Sequence, residues 1–281
     1  MPTQAEKCKA FRALHARDRA FIIPNPYDVG TARLLELLGF EALATTSAGF
    51  AFSIGKPDGA LDRDTMLAHA AQLAAATDLP VSADLENGYA DDPATVAETV
   101  RLAARAGLAG CSIEDVPPGR DGGPYALAHA ADRVRAAAEA AQSLPFPFTL
   151  TARAENFIVG RPDLRDTIAR LQAFEEAGAD VLFAPGLKTR EDIATVVRAV
   201  SRPVNVIMGL EGVQLSAADL SGLGVKRISV GSALARTAIG AFMRGASEMK
   251  ERGTFAFAAD APKYPDLNAT FARWASSAGA D

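Results

Sequence analysis

The stretch Val81-Ser82-Ala83-Asp84-Leu85-Glu86-Asn87-Gly88-Tyr89 runs from a short apolar segment into two carboxylates one residue apart and then into a glycine turn. Charge at the end of a buried strand costs stability, so a strand that finishes this way points to chemistry at its tip. The pattern recurs in Ala109-Gly110-Cys111-Ser112-Ile113-Glu114-Asp115. It returns with a cation in place of the acid in Phe148-Thr149-Leu150-Thr151-Ala152-Arg153. Three charged strand ends suggest one shared pocket.

Working outward, apolar runs of strand length alternate with amphipathic helical stretches. The strand candidates are Phe21 to Ile23, Ala42 to Thr45, Val81 to Ala83, Gly110 to Ile113, Phe148 to Thr151, Val181 to Phe183, Val204 to Ile207 and Arg227 to Val230. Read as continuous rather than alternating in polarity, they suit strands covered on both faces of a parallel sheet. Helices are predicted for stretches such as Asp62 to Ala76, Pro93 to Ala106, Ala126 to Ser143, Pro162 to Ala177 and Thr189 to Val200. Eight strand-helix units in about 250 residues predict an α/β fold of the (β/α)8 TIM-barrel type rather than an open doubly wound sheet. Gly107 and Gly178, each after a helix ending in Ala, are expected to cap those helices in the left-handed conformation.

The 281 residues, 49% hydrophobic and 22% charged, suffice to bury a full core without staples. A net charge of -5 and a pI near 5.4, with no basic run, argue against nucleic acid and membrane surfaces and for a small-molecule partner. Cys8 and Cys111 are too few for a disulfide framework, and Cys111, inside a strand, reads as packing. The polar start Met1 to Lys9 lacks the pattern of a signal peptide, and no apolar run reaches a membrane span, so a cytoplasmic location is expected. A single domain over 1–281 is expected. The segment Gly253 to Asp281, after a long helix from Ser232 to Lys250, carries Phe255, Phe257, Phe271 and Trp274 and is expected to form a helical extension that packs on a neighbouring subunit.

Residues that follow strands collect at the C-terminal face of such a barrel, where Asn25, Asp28, Thr46, Ser47, Asp84, Glu86, Glu114, Arg153 and Asn205 are found. Asp28, Asp62 and Asp92 are read equally well as helix caps. Asp84 and Glu86, with no nearby His or thiolate, suit a hard cation such as Mg2+ or Mn2+ and not Zn2+. His15, His69 and His129 all fall in helices and are read as surface or helix-face residues, which excludes a His base or a Ser-His-Asp triad. Gly209-Leu210-Glu211-Gly212 and Val230-Gly231-Ser232 suggest an anion site, ahead of simple turn chemistry, and the absence of GxGxxG or Walker patterns implies no nucleotide.

These motifs resemble the isocitrate lyase and phosphoenolpyruvate mutase superfamily over nearly the whole chain. Asp84-Leu85-Glu86-Asn87-Gly88-Tyr89 is similar to its Asp-x-Asp-x-Gly-Tyr metal motif. It is preceded by Thr46-Ser47-Ala48-Gly49 with Asp58 at the family spacing, and followed by Ile113-Glu114-Asp115 and Thr151-Ala152-Arg153-Ala154-Glu155. The resemblance implies a barrel modified by a terminal helix exchanged between subunits, in a homotetramer built as a dimer of dimers. It implies Mg2+ as cofactor, with Asp84 as direct ligand and Glu86, Glu114 and Asp58 in or beside the hydrated shell. Thr46, Ser47 and Ala48 would bind a small 2-oxo or 2-hydroxy carboxylate, and Arg153 its carboxylate or enolate charge; Asn205, placed at the same face by its strand, is a further substrate-binding candidate.

Departures from the family are equally legible. Where its carbon-carbon lyases carry a Lys-Lys/Arg-Cys-Gly-His loop, this chain reads Pro117-Pro118-Gly119-Arg120-Asp121-Gly122-Gly123-Pro124, and Ala184-Pro185-Gly186 stands where mutases place a His. The common core therefore implies a Mg2+-dependent lyase of a carbon-carbon bond in an oxaloacetate- or methylisocitrate-like dicarboxylate, passing through an enolate. Arg153, Glu114 and Tyr89 are the candidate catalytic residues, and the Gly- and Pro-rich loop from Pro117 to Tyr125 is a candidate lid. Phosphonopyruvate-type mutase or hydrolase chemistry and a non-catalytic 2-oxo acid binding protein are the alternatives.

Overall fold

The helices start where short polar side chains satisfy amides that lack a partner in the first turn. Asp28, Asp62, Asp92, Asp163 and Thr189 each accept from the backbone N–H three residues on. The aspartates at 28, 62 and 92 are therefore caps. At the other end, Gly107 and Gly178 take φ of +85° and +104°, the left-handed stop expected after Ala106 and Ala177.

A computed structural model describes residues 2–117, 119 and 122–275. Pro118, Arg120 and Asp121 of the candidate lid, and 276–281 of the extension, lie outside the described residues. The strands are β1 Phe21–Ile23, β2 Leu43–Ala44, β3 Val81–Asp84, β4 Gly110–Glu114, β5 Thr149–Arg153, β6 Val181–Phe183, β7 Val204–Ile207 and β8 Arg227–Ser229. The helices are α1 Gln4–His15, α2 Val29–Leu37, α3 Ser47–Ser53, α4 Arg63–Ala76, α5 Pro93–Arg105, α6 Leu127–Gln142, α7 Leu164–Glu176, α8 Arg190–Ala199, α9 Ala217–Gly222, α10 Ala233–Arg252 and α11 Tyr264–Ala275. All strand pairs are parallel, in the order β1-β8-β7-β6-β5-β4-β3-β2. Ala44 N donates to Pro24 O at 3.1 Å and draws the two ends of the sheet together. This is the (β/α)8 TIM-type barrel expected.

The strands are not uniformly apolar, and their period of two explains why. In β4 and β5, Cys111, Ile113, Leu150 and Ala152 belong to the main core shared with the helices. The alternate positions Ser112, Glu114, Thr151 and Arg153 are small or polar and turn to the barrel interior. Ladder pairing carries the charged tips inside the strands, with Glu114 opposite Arg153 and Asp84 opposite Ser112.

The N-terminal end of the barrel is closed by α1. Its Cys8, Phe11 and Leu14 form a separate buried cluster with Phe21, Ile23, Ala42 and Ala109. Full burial of a side chain such as Phe11 stabilises by roughly 1.5–3 kcal/mol.

Two histidines differ from expectation by being buried. His15 packs edge-on against Phe11 and Phe21 at 4.8 and 5.0 Å between ring centres, and His69 stacks on Phe50 at 3.6 Å. Apolar neighbours take up both rings, and burial pushes their pKa values down, to about 3 for His15 and about 4 for His69.

The chain forms two compact units, Met1–Ala235 and Arg236–Asp281. In the second, Phe242, Met243, Phe255, Tyr264 and Leu267 are exposed. Among the described residues no helix is long and apolar enough to cross a membrane.

Candidate active site

Inside the first unit a cavity of about 230 Å3 lies at the C-terminal ends of the strands, lined among others by Thr46, Ser47, Ala48, Asp58, Asp84, Arg153 and Asn205. Thr46 caps α3, accepting from Gly49 N at 3.2 Å. That turn sets the Ser47 backbone N–H and hydroxyl 3.2 and 3.0 Å from Asp84 Oδ2. The same hydroxyl lies 3.1 Å from Asp58 Oδ1, and Thr45 Oγ1 accepts from Asp84 N at 2.9 Å. The short helix α3 was not foreseen from the sequence; its signal was Thr46 three residues before Gly49.

Arg153 is the electrostatic centre. Its Nη1 meets Asp84 Oδ1 at 2.7 Å, Nη2 meets Glu114 Oε2 at 3.0 Å and Nε meets Glu155 Oε1 at 2.9 Å. Burial opposes its charge, but Glu155, Asp84 and Glu114 hold its pKa well above the ordinary arginine value. Glu155 is oriented in turn by Asp115, whose Oδ1 accepts from Glu155 N at 2.9 Å and whose Oδ2 pairs with Arg170 at 3.0 Å. Burial raises the Asp115 carboxyl to about 6 despite those partners.

Glu86 and Tyr89 follow on the turn after β3, and Tyr89 stays within electrostatic reach of Asp84, Glu114 and Asp58 as well as of Glu86. Both adopt left-handed backbone, at φ 47° and 61°, a conformation uncommon outside glycine. They line a neighbouring depression with Asp62, Asp64 and Asp91 rather than the cavity wall. The turn is held from beneath by the buried Arg133, which donates to the carbonyls of Asn87, Ala90 and Glu114. Tyr125 OH bonds Asp91 and accepts from Asn87 Nδ2. The Tyr89 hydroxyl is buried without a hydrogen-bond partner among the described residues. Burial, reinforced by Glu86 and Asp84, raises its pKa far beyond the usual phenol range, so the group stays protonated.

At Val230-Gly231-Ser232, where an anion site is suggested, two of the amides are already taken up by a side chain from β1's end of the barrel. The amides of Val230 and Gly231 both donate to Asn25 Oδ1 at 2.9 Å, while Asn25 Nδ2 reaches Thr45 O. Asn25 thus ties the ends of β8 and β1 to the loop after β2. Two charged residues on the cavity wall were not among the candidate site residues, Glu155 and Arg227. Glu155 stood in the quoted motif; Arg227 stood out as a cation opening an otherwise apolar run.

Among the described residues, no three acidic, His or Cys side chains converge as a ready cation-binding group. The acids present offer only oxygen. Such a set fits a hard ion that keeps several waters and takes only one or two protein carboxylates.

The family model for phosphoenolpyruvate phosphomutase matches residues 11–250. A crystal structure from Burkholderia cenocepacia J2315, provisionally classed as a lyase/mutase, is 61% identical, covers 96% of each chain and superposes with a TM-score of 0.94. A probable 2-methylisocitrate lyase 1 of Corynebacterium glutamicum is 31% identical over 88% of this chain and 82% of its own. An oxaloacetate decarboxylase of Paraburkholderia xenovorans is 30% identical over 80% and 75%. With the barrel, the acidic strand tips and Arg153 in place, the chain belongs to the phosphoenolpyruvate mutase/isocitrate lyase superfamily.

Proposed function

We propose that the protein is a lyase that breaks a carbon-carbon bond of a small 2-oxo or 2-hydroxy dicarboxylate by way of an enolate. The observation that carries this reading is Arg153, fixed among Asp84, Glu114 and Glu155 on the wall of a small closed-bottomed cavity. The relatives' reactions support it.

In an oxaloacetate-like substrate the bond between C3 and its carboxylate breaks, carbon dioxide leaves, and the electron pair runs onto the C2 oxygen. Arg153 is a fixed positive charge for that oxyanion, already oriented by its acids, so little reorganisation is needed as charge develops. The Ser47 hydroxyl and amide, and Ala48, position the 2-oxo acid head. Tyr89, protonated, can donate a proton but not remove one. Asp84 would hold Mg2+ or Mn2+, with Asp58, Glu86 and Glu114 reaching it through water. When bound, such an ion stabilises negative charge on substrate oxygens.

Mass spectrometry of Mg2+-dependent turnover on oxaloacetate, 2-methylisocitrate and 2,3-dimethylmalate tests the reading. The wild type should form product, and Asp84→Asn should form about 100-fold less or lower still. Wild-type turnover no higher than that of the variant, with a 2-oxo acid still bound, would replace the lyase with a binding protein.

The apolar side chains exposed on 236–275 support packing of this segment on another copy, in a homotetramer. Sedimentation as a monomer would remove that part of the proposal.

A further inference from the structure

Arg227 opens β8 inside the barrel and is only 5% exposed. Its Nε donates to Asn205 Oδ1 at 3.0 Å, its Nη2 donates to Thr151 Oγ1 at 3.0 Å, and its Nη1 lies 3.5 Å from His15 Nε2. His15 Nδ1 is 2.8 Å from the Phe11 carbonyl oxygen, so Nδ1 carries the proton and Nε2 faces the guanidinium as an acceptor. Every one of these partners is uncharged. Among the described residues no carboxylate forms an ion pair with Arg227, and the charge that bears on it is that of Arg153, a second cation. Burial, and then Arg153, lower its pKa to about 9.

A buried cation without a counter-ion is costly, whereas a neutral side chain could tie Thr151 to Asn205 at no such cost. A guanidinium has five N–H groups, and the three contacts use one on each nitrogen. Arg227 also lines the cavity that Arg153 lines, beside Ser82, Ser112 and Ser229. Its place at the start of β8, against α1, sets it at the inner end, away from the acids.

We propose that Arg227 is a second carboxylate-recognition residue. It takes one carboxylate of a dicarboxylate substrate at the inner end of the cavity, while Ser47 and Arg153 hold the 2-oxo head at the mouth. The proposal rests on the lyase reading above and adds the residue that selects dicarboxylates over monocarboxylates. The cavity then divides its work between a compensated cation for the reacting end and an uncompensated one for the recognised end.

Calorimetric binding of 3,3-difluorooxaloacetate and of pyruvate, with Mg2+ present, tests it. The two probes share a 2-oxo acid head and differ by one carboxylate. Arg227→Gln should weaken the dicarboxylate about 10- to 100-fold and pyruvate less than about 2-fold, and Arg227→Lys should fall between wild type and Arg227→Gln. Equal losses for both probes would make Arg227 a structural tie and overturn the proposal, as would an unchanged dicarboxylate affinity. If Arg227→Gln does not fold, Arg227→Lys carries the same comparison. A wild type that binds neither probe ends the lyase reading and this proposal together. A wild type that binds both, with a preference that ignores Arg227, ends only this one.

Discussion

Arg153 and Arg227 lie on the wall of one cavity and both are largely buried, yet they are held in opposite ways. Arg153 at the mouth forms ion pairs with three carboxylates, from β3, β4 and the residue two beyond its own. Arg227 at the inner end has an amide, a hydroxyl and a neutral imidazole. The fold itself supplies the counter-charge for the first. It leaves the second to be answered by a ligand. Two residues of one type, in one cavity, thus stand in different relations to stability: one holds its surroundings together, the other is carried at their expense.

The largest effect should come from Arg153→Met. Removing the cation leaves Asp84, Glu114 and Glu155 crowded without compensation, which should cost about 3–5 kcal/mol in urea unfolding and abolish turnover. A variant as stable as the wild type would erase the contrast. Next is acidity. His15 and His69 are neutral when folded but take up a proton near pH 6.5 when unfolded, so the unfolded state binds more protons below that pH. Stability should be flat above about pH 6.5 and fall as pH drops toward 4, with His15 alone contributing a loss of about 2 kcal/mol at pH 5. His15→Phe should flatten that slope, and an unchanged slope would mean the imidazole beside Arg227 is charged. The smallest effect belongs to Arg227→Met, whose unfolding free energy should be within about 1 kcal/mol of wild type or above it. A loss of more than about 2 kcal/mol would put both arginines in the same structural class.

Much of this was legible in the chain because strand and helix leave different periods and different stops. The acids at 84 and 114 and the cation at 153 interrupt apolar runs at strand ends, and Asp62, Asp92 and Gly107 mark helix limits by known local chemistry. Side-chain direction after a strand was less legible. Glu86 is two residues from Asp84 yet lines a neighbouring depression, and no local pattern announces its left-handed φ. Arg227 was missed for another reason. Its partners at 15, 151 and 205 are far apart in sequence, and only closure of the barrel brings them together. The burial of His15 and His69 likewise depends on aromatic neighbours that the helical period alone does not identify.

The inward faces of β3, β4 and β5 are made of serine, threonine, glycine and charged tips, while the apolar packing sits in the outer layer against the helices. The consequence concerns how such a protein changes over generations. Side chains that shape the cavity contribute little to the packing that keeps the chain folded. A substitution at position 82, 112 or 229 can therefore alter which molecule is accepted without spending the narrow margin of stability on which folding depends. A lineage with this division of labour can explore new substrates one residue at a time, each intermediate still a folded barrel.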